Sequence, residues 1–210
     1  MTHTFDQNYW DDIWSSGHAG AMSSGDANPH LVRQVESLIP GSALDAGCGA
    51  GAEAIWLANA GWTVTAADVA EAALALGRQR AAEAGVSQSI QWVHADLSSW
   101  DPGRTYDLVT THYAHPAIPQ LEFYRRIATW VAPGGTLLIV GHLRHDAGAE
   151  PGSRPPEEAS ATAEAIIGLL EPAFWAVGAA EESQRTVTGP GGRSTTVHDV
   201  VVRATRRTGS

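Results

Sequence analysis

Short apolar segments alternate with helical segments along residues 42–141, and this alternation constrains the fold more than any other feature of the sequence. Strands are predicted at 42–46, 62–68, 90–94, 106–112 and 136–141, and helices at 28–38, 52–60, 71–84 and 120–131. Strands that alternate with helices in this way form a parallel sheet that is covered on both faces. The sequence therefore predicts an α/β fold.

The last third of the chain follows a different pattern. A loop is predicted at 145–156, a helix at 157–170, and two strands at 176–187 and 195–204. The two strands flank GlyProGlyGly, 189–192, which is a turn sequence typical of a hairpin. We therefore expect a sheet that is parallel through its fifth strand and ends in an antiparallel hairpin.

Composition excludes several classes of protein. The 210 residues suit one domain, no run of apolar residues is long enough to span a membrane, and the N-terminus lacks the features of a secretory signal. The single cysteine, Cys48, excludes an internal disulfide and a multi-cysteine zinc site. A net charge of -10 disfavours binding to nucleic acid. We expect a cytoplasmic protein that binds neither membrane nor nucleic acid, in an oligomeric state that the sequence leaves open.

A glycine-rich run, LeuAspAlaGlyCysGlyAlaGly at 44–51, connects the first predicted strand to its helix. Gly47, Gly49 and Gly51 allow a tight turn and let a ligand approach the main chain without a Cβ in the way. The N-terminus of the following helix offers free N–H groups to an anionic part of that ligand. This loop is therefore the predicted ligand-binding element.

Three acidic residues at predicted strand ends suit a nucleoside ligand. Asp45 lies just before the glycines, where it is placed to engage an amino group of the ligand. Asp68 is placed to hold ribose hydroxyls, and Asp96 is placed to accept a hydrogen bond from an adenine amine. The spacing Gly47-x-Gly49-x-x-Ala52 also fits a dinucleotide fingerprint, so an NAD-type oxidoreductase is an alternative that Asp68 does not separate. Asp45, Asp96 and the terminal hairpin favour an adenosyl ligand that is not a dinucleotide.

Five motifs, in this order and at this spacing, resemble the class I S-adenosylmethionine-dependent methyltransferases over about residues 40–205. They are LeuAspAlaGlyCysGlyAlaGly (44–51), ThrAlaAlaAspValAla (65–70), HisAlaAspLeu (94–97), TyrAspLeuValThrThrHis (106–112) and ValAlaProGlyGlyThrLeuLeuIle (131–139). The resemblance implies a Rossmann-like seven-stranded sheet in the order 3-2-1-4-5-7-6, with strand 7 antiparallel and helices on both faces. It also implies S-adenosylmethionine as cofactor, with contacts from Trp14, Asp45, Gly47, Cys48, Gly49, Asp68, Val69, Asp96, Leu97 and Thr111.

The N-terminal segment TyrTrpAspAspIleTrp, 9–14, followed by Asn28-Pro29, resembles the lead-in of small-molecule methyltransferases of the thiopurine and tellurite resistance type. In those relatives an N-terminal segment folds over the cofactor. We therefore expect residues 1–28 to form a lid, with a hinge at 15–25, over a single methyltransferase domain at 29–210. Trp10 and Trp14 lie four residues apart, and the alternative is that they only pack on the core.

Histidines follow two neighbouring strands of the expected sheet. His112, Tyr113 and His115 come at the end of strand four, and His142 and His145 follow strand five. Ligands bind beyond the carboxyl ends of parallel strands, and histidine suits a general base near neutral pH. We predict His112 as the base, with His115 and Tyr113 as further catalytic candidates. The same histidines offer ligands for a divalent metal, but no acid is spaced to complete a shell, so we expect no metal.

The sequence thus predicts an enzyme that transfers a methyl group from S-adenosylmethionine to an O, N or S atom of a small molecule by in-line displacement. The alternatives are an NAD-type oxidoreductase and a non-catalytic protein that uses this fold to bind a nucleoside. The acceptor itself does not follow from the sequence, because its pocket is built by the loops at the strand ends.

Overall fold

The computed structural model describes residues 5, 7–15, 26–143, 159–188 and 194–209. The helices are α1 (Gln7–Ser15), α2 (Pro29–Val35), α3 (Ala52–Asn59), α4 (Glu71–Glu83), α5 (Gln120–Ala128) and α6 (Ala163–Ile167), and a single 3₁₀ turn spans Ser87–Ser89 in this part of the chain. The strands are β1 (Ser42–Ala46), β2 (Thr63–Asp68), β3 (Ile90–His94), β4 (Tyr106–His112), β5 (Val131–Leu143), β6 (Ser160–Ala161), β7 (Trp175–Thr188) and β8 (Ser194–Arg206).

The strands form one sheet in the order β3-β2-β1-β4-β5-β8-β7. Strands β1 to β5 are parallel, and β8 inserts antiparallel between β5 and β7. The short strand β6 pairs with the end of β5, where His142 lies opposite Ser160. The predicted order, including the antiparallel hairpin, is confirmed. The two hairpin strands are the seventh and eighth because β6 precedes them in the chain.

The core lies on both faces of the sheet, because successive side chains of a strand point to opposite faces. Along β5, Leu137 and Ile139 belong to one buried cluster, whereas Leu138 and Val140 belong to the other. All four side chains are fully buried, and each such burial is worth roughly 1.5–3 kcal/mol relative to an exposed side chain. The sheet is thus covered on both sides, as an apolar, parallel strand pattern predicts.

All the predicted helices are shorter in the structure, and three of them lose at least three residues. Helix α2 spans only Pro29–Val35 of the predicted 28–38. Helix α5 ends at Ala128, because Val131 already pairs with Tyr106 as the first residue of β5. The helix predicted at 157–170 spans only Ala163–Ile167 and begins after Thr162, whose hydroxyl accepts a hydrogen bond from the Ala165 amide at 3.1 Å. That bond caps the helix at its first turn.

The hairpin strands agree with the prediction to within two residues at each end. The loop predicted at 145–156 and the turn predicted at 189–192 lie outside the described residues. None of the helices described above is long and apolar enough to cross a membrane.

Candidate active site

A cavity of about 490 Å³ opens at the carboxyl ends of the parallel strands. This is the edge at which ligands bind in open α/β sheets, and the volume is that of a small-molecule site. Its wall includes most of the residues that the sequence singles out, namely Trp14, Gly47, Cys48, Gly49, Asp68, Val69, Asp96, Leu97, His112, Tyr113 and His115. Asp45 and Thr111 do not line it.

The glycine loop between β1 and α3 forms the floor of this cavity. Gly47 adopts a φ of +82°, and a Cβ at this position would lie 2.2 Å from the Ala114 Cβ. Gly49 adopts a φ of +50°, and a Cβ there would lie 3.0 Å from Cζ2 of Trp14. Both the backbone conformation and the available space therefore require glycine.

Asp68 ends β2 and is fixed by the glycine loop. Its Oδ2 accepts a hydrogen bond from the Gly49 amide at 2.8 Å, and its Oδ1 accepts one from the Ala70 amide at 2.9 Å. Burial raises the pKa of Asp68, although these amides and a third from Val69 act in the opposite direction. Asp68 thus presents a rigid carboxylate to the cavity.

Asp45 lies behind the glycine loop and does not reach the cavity wall. Its side chain is buried, and its Oδ2 has no hydrogen-bond partner among the described residues. Burial, Glu53 and Asp68 raise the pKa of Asp45 well above its usual value. A cationic ligand group nearby would stabilise this charge, so a contact from Asp45 to such a group stays a prediction.

Glu53 is a wall residue that the sequence analysis missed. It lies in the first turn of α3, and its Oε1 accepts a hydrogen bond from the Asn28 amide at 3.1 Å. Its position two residues after Gly51 was the sequence signal that could have indicated a place in the cavity wall. Through this bond, Glu53 ties the segment before α2 to the cavity.

His112, the last residue of β4, is buried and lines the cavity. Neither of its ring nitrogens has a hydrogen-bond partner in the part of the chain that the structure describes. Burial lowers the pKa of His112, which keeps the imidazole neutral at neutral pH. A buried polar group without a partner is costly, and such groups are concentrated at functional sites.

His115 lies in a column of rings that joins α1 to the strand ends. Its ring stacks on Trp10 at a centroid distance of 6.4 Å and on His142 at 5.2 Å. The Trp10 indole N–H also donates to the His115 carbonyl at 3.1 Å. Burial lowers the pKa of His115 and lowers that of His142 to about 4. Both rings are therefore neutral at neutral pH.

Tyr113 has a φ of +53°, which is a strained conformation for a residue other than glycine. Its hydroxyl donates to Asp199 Oδ1 at 2.7 Å and accepts from Arg185 Nη2 at 3.0 Å. Burial raises the pKa of Tyr113 to about 12. Tyr113, predicted as a catalytic candidate, is thus a protonated group held in a hydrogen-bond network.

The fully buried carboxylate of Asp199, on β8, is the centre of that network. Its Oδ2 accepts from Arg185 Nε and lies 3.1 Å from His30 Nε2, in addition to the bond that Oδ1 accepts from Tyr113. Sequence reasoning missed Asp199, Arg185 and His30. Arg185 and Asp199 lie on the two paired strands of the terminal hairpin, whereas His30 lies 169 residues before Asp199, and no local motif marks them.

Two further predictions concern Thr111 and a metal. The Thr111 hydroxyl donates to the Ala46 carbonyl at 2.8 Å and links β4 to β1. Thr111 does not line the cavity, and its contact with the cofactor stays a prediction. Within the described ranges, no three His, Cys, Asp or Glu side chains are grouped to hold a metal ion. His145 lies outside those ranges.

Several described residues of the N-terminal segment line the cavity. Phe5, Trp10 and Trp14 all line it, and Trp14 lies against Gly49. The Phe5 ring contacts Tyr9 edge-on at a centroid distance of 5.4 Å. The predicted hinge, 15–25, lies outside the described residues apart from Ser15, the last residue of α1.

Comparison with protein families decides what kind of nucleoside site this is. A family model described as a methyltransferase domain matches residues 43–135, from β1 to the beginning of β5. This part of the chain is therefore similar to methyltransferase domains. The match favours a methyltransferase over the NAD-type oxidoreductase that the glycine spacing left open.

Several curated methyltransferases are similar to this chain. The 2-heptyl-1-hydroxyquinolin-4(1H)-one methyltransferase of Mycobacteroides abscessus is 29% identical over 123 residues, which are 56% of this chain and 54% of that protein. Across the curated relatives it matches, the chain spans between 33% and 68% of their length.

Two solved structures share the fold. TehB from Haemophilus influenzae superposes with a TM-score of 0.69 at 16% identity, over 96% of this chain and 66% of that one. The 1,6-didemethyltoxoflavin-N1-methyltransferase of Burkholderia thailandensis gives a TM-score of 0.67 at 19% identity, over 96% and 87%. That structure contains S-adenosylhomocysteine.

The residues of the cavity fit S-adenosylmethionine. Gly47, Cys48 and Gly49 expose the glycine loop to the cavity, and the fixed oxygens of Asp68 suit hydroxyl donors. The unpartnered Oδ2 of Asp45 suits a nearby cation, and the Trp14 ring offers a face on which a sulfonium is stabilised.

Proposed function

We propose that this methyltransferase transfers a methyl group from S-adenosylmethionine to an O, N or S atom of a small molecule. One observation carries the proposal. A single cavity joins the glycine loop and Asp68 to His112, a buried imidazole whose ring nitrogens have no hydrogen-bond partner among the described residues. The expected cofactor site and an imidazole that is able to act as a base therefore lie in one cavity.

The relatives support a small acceptor. The Mycobacteroides relative is named for a hydroxyquinolone, and the Burkholderia structure contains 1,6-didemethyltoxoflavin. The net charge of -10 also disfavours a nucleic-acid acceptor, because it repels phosphate groups.

In the proposed mechanism, His112 removes a proton from the acceptor. When bound, S-adenosylmethionine supplies an electrophilic methyl group, which the acceptor lone pair attacks while the electron pair of the broken carbon–sulfur bond stays on sulfur. The neutral state of His112 leaves a ring nitrogen able to take the acceptor proton. Rings of the N-terminal segment exclude water, and the network around Asp199 holds Tyr113 in place.

We also propose that residues 1–28 act as a lid on a domain formed by 29–210. Trp10 and Trp14 line the cavity from α1, and neither hydrophobic cluster of the sheet includes a described residue of α1. In the same segment, Phe5 is buried and Ala27 packs against one of the clusters. We therefore propose that the rings of α1 cover the site while the end of the segment is anchored on the core at Ala27.

Replacing Asp68 with alanine should weaken binding of S-adenosylhomocysteine by about 1–3 kcal/mol, because it removes a charge-assisted acceptor and the anchor of the Gly49 amide. Asp101→Ala is the matched control, since Asp101 is an exposed carboxylate that caps a turn at Gly103. Calorimetry should show weaker binding only for the first variant. Equal affinities in both variants would exclude Asp68 from the cofactor site.

Mass spectrometry tests the activity. The full chain is incubated with a metabolite extract and with S-adenosylmethionine that is isotopically labelled in its methyl group. A small-molecule product that carries the label is the expected result, and His112→Ala serves as the matched negative control. Label that appears only on protein or RNA in the extract would contradict a small-molecule acceptor.

A further inference from the structure

The strand order gives the cavity two distinct ends. Asp96, Asp68 and the glycine loop follow β3, β2 and β1, which are neighbours in the sheet, and His112 ends β4 on the other side of β1. Arg185 enters from β7. The cofactor motifs occupy the β3-β2-β1 end. The other end is the acceptor chamber, which we define by Trp10, His112, Tyr113, His115 and Arg185.

The charges of the cavity wall are divided between these ends. The wall carboxylates belong to the strand ends and segments around the glycine loop, and they are Asp26, Glu53, Asp68 and Asp96. The Asn28 amide donates to Glu53, which holds this part of the chain near the glycine loop. Asp26 lies two residues before Asn28 and is therefore assigned to the same end. Arg80 also lines this end, where its Nη1 donates to the Ala50 carbonyl at 3.0 Å, so four carboxylates face one guanidinium there. A positively charged cofactor group matches this excess of acidic groups. Among the described residues that define the acceptor chamber, only Arg185 carries a formal charge at neutral pH.

Two hydrogen bonds hold the guanidinium of Arg185 in place, and one of its nitrogens makes no hydrogen bond among the described residues. Its Nε donates to Asp199 and its Nη2 donates to the Tyr113 hydroxyl. These bonds leave Nη1 without a hydrogen-bond partner in the described part of the chain. Asp199 offsets the charge of this guanidinium, but the free Nη1 still offers only hydrogen-bond donors to the cavity. Such donors recognise an oxygen acceptor, whereas a protonated amine has no lone pair to accept them.

The remaining walls of the acceptor chamber are flat rings. Trp10 and His115 lie within 25° of parallel, and His115 hydrogen-bonds through Nδ1 to Gln120 at 3.2 Å. Burial lowers the pKa of both His112 and His115, so these rings add no positive charge. Aromatic walls of this kind stack on planar ligands.

We propose that the acceptor is a planar aromatic compound with an acidic hydroxyl group, bound in its neutral or anionic form with its oxygen near Arg185 and His112. Protonated amines are excluded from the chamber. This inference rests on the proposed function, because it names the substrate class of the same site. It assigns to Arg185 the role of selecting the acceptor by charge.

Three naphthalenes of similar shape test the charge preference. The full chain is titrated with 2-naphthol, with 2-naphthoate and with protonated 2-(aminomethyl)naphthalene, each with and without S-adenosylhomocysteine. We expect the naphthol and the carboxylate to bind at least about tenfold more tightly than the ammonium compound. Arg185→Met should remove about tenfold of the 2-naphthoate affinity, whereas Arg185→Lys, which keeps the charge, should lose less.

Arg78→Gln is the control variant, because Arg78 pairs with Glu71 on the exposed side of α4, and its affinities should match those of the unmodified chain. Preferred or equal binding of the ammonium compound, or no binding of any naphthalene, would overturn the inference. If circular dichroism shows that Arg185→Met is misfolded, the relative affinities of the unmodified chain for the three naphthalenes still test the inference. The titration with S-adenosylhomocysteine alone tests the proposed function separately, so the two failures are distinguishable.

Discussion

Replacing His112 with alanine should lower turnover by about 100-fold or more and leave the affinity for S-adenosylhomocysteine within about twofold. The reason is that His112 is a buried, neutral imidazole in the cavity wall, with no other bond to break among the described residues. Steady-state rates and calorimetry measure the two quantities. His198→Ala is the matched control, because His198 lies on β8 and does not line the cavity.

The pH dependence separates a base from a packing residue. Burial lowers the pKa of His112 from its ordinary 6.5, so the base stays neutral in mildly acidic solution. The rate of the unmodified enzyme should therefore fall only below the ordinary histidine range, when His112 becomes protonated, and this acid limb should be missing from the residual rate of His112→Ala. A packing role would instead give a large loss of thermal stability with kcat nearly unchanged.

Deleting residues 1–20 should leave a folded domain whose turnover is lower by about 100-fold, because small losses of positioning at the reacting atoms cost this much. Neither hydrophobic cluster of the sheet includes a described residue of 1–20, so we expect the sheet to form without this segment. Loss of the rings of Trp10 and Trp14 opens the cavity to water. Rates and circular dichroism measure the two effects.

A pair of point variants refines the same test. Trp14→Phe keeps an aromatic face against Gly49 and should retain most of the cofactor affinity, whereas Trp14→Ala removes that face and should lose more. A truncated enzyme that methylates its acceptor at the normal rate would show that the segment is not a lid.

The sheet could be predicted from the sequence because its signals are local. The strands β1, β3 and β4 begin and end at the predicted residues, since each is a short apolar run bounded by turn residues. The helix predicted at 157–170 was wrong in its first residues, because the pairing of Ser160 and Ala161 with β5 is a tertiary contact. A helical pattern in the sequence cannot reveal such a contact.

The two ends of the site also differ in how far the sequence predicts them, because one depends on local motifs and the other on tertiary contacts. Gly47, Gly49 and Asp68 belong to motifs with fixed spacing, and the structure brings them together at one cavity. The bonds from Tyr113 to Asp199 and Arg185 depend on the pairing of the long β7–β8 hairpin with β5. Tyr113 lies far from both partners in sequence, so no local pattern indicates these bonds and only the folded chain reveals them.

Calorimetric titration of the full chain with S-adenosylmethionine, S-adenosylhomocysteine and NAD tests the central claim most directly. The two adenosyl ligands differ by the methyl group whose transfer is proposed, and NAD is the ligand of the competing dinucleotide assignment. We expect both adenosyl ligands to bind at one site per chain, to bind more weakly after Asp68→Ala, and NAD not to bind. Binding of NAD without binding of either adenosyl ligand would contradict the account.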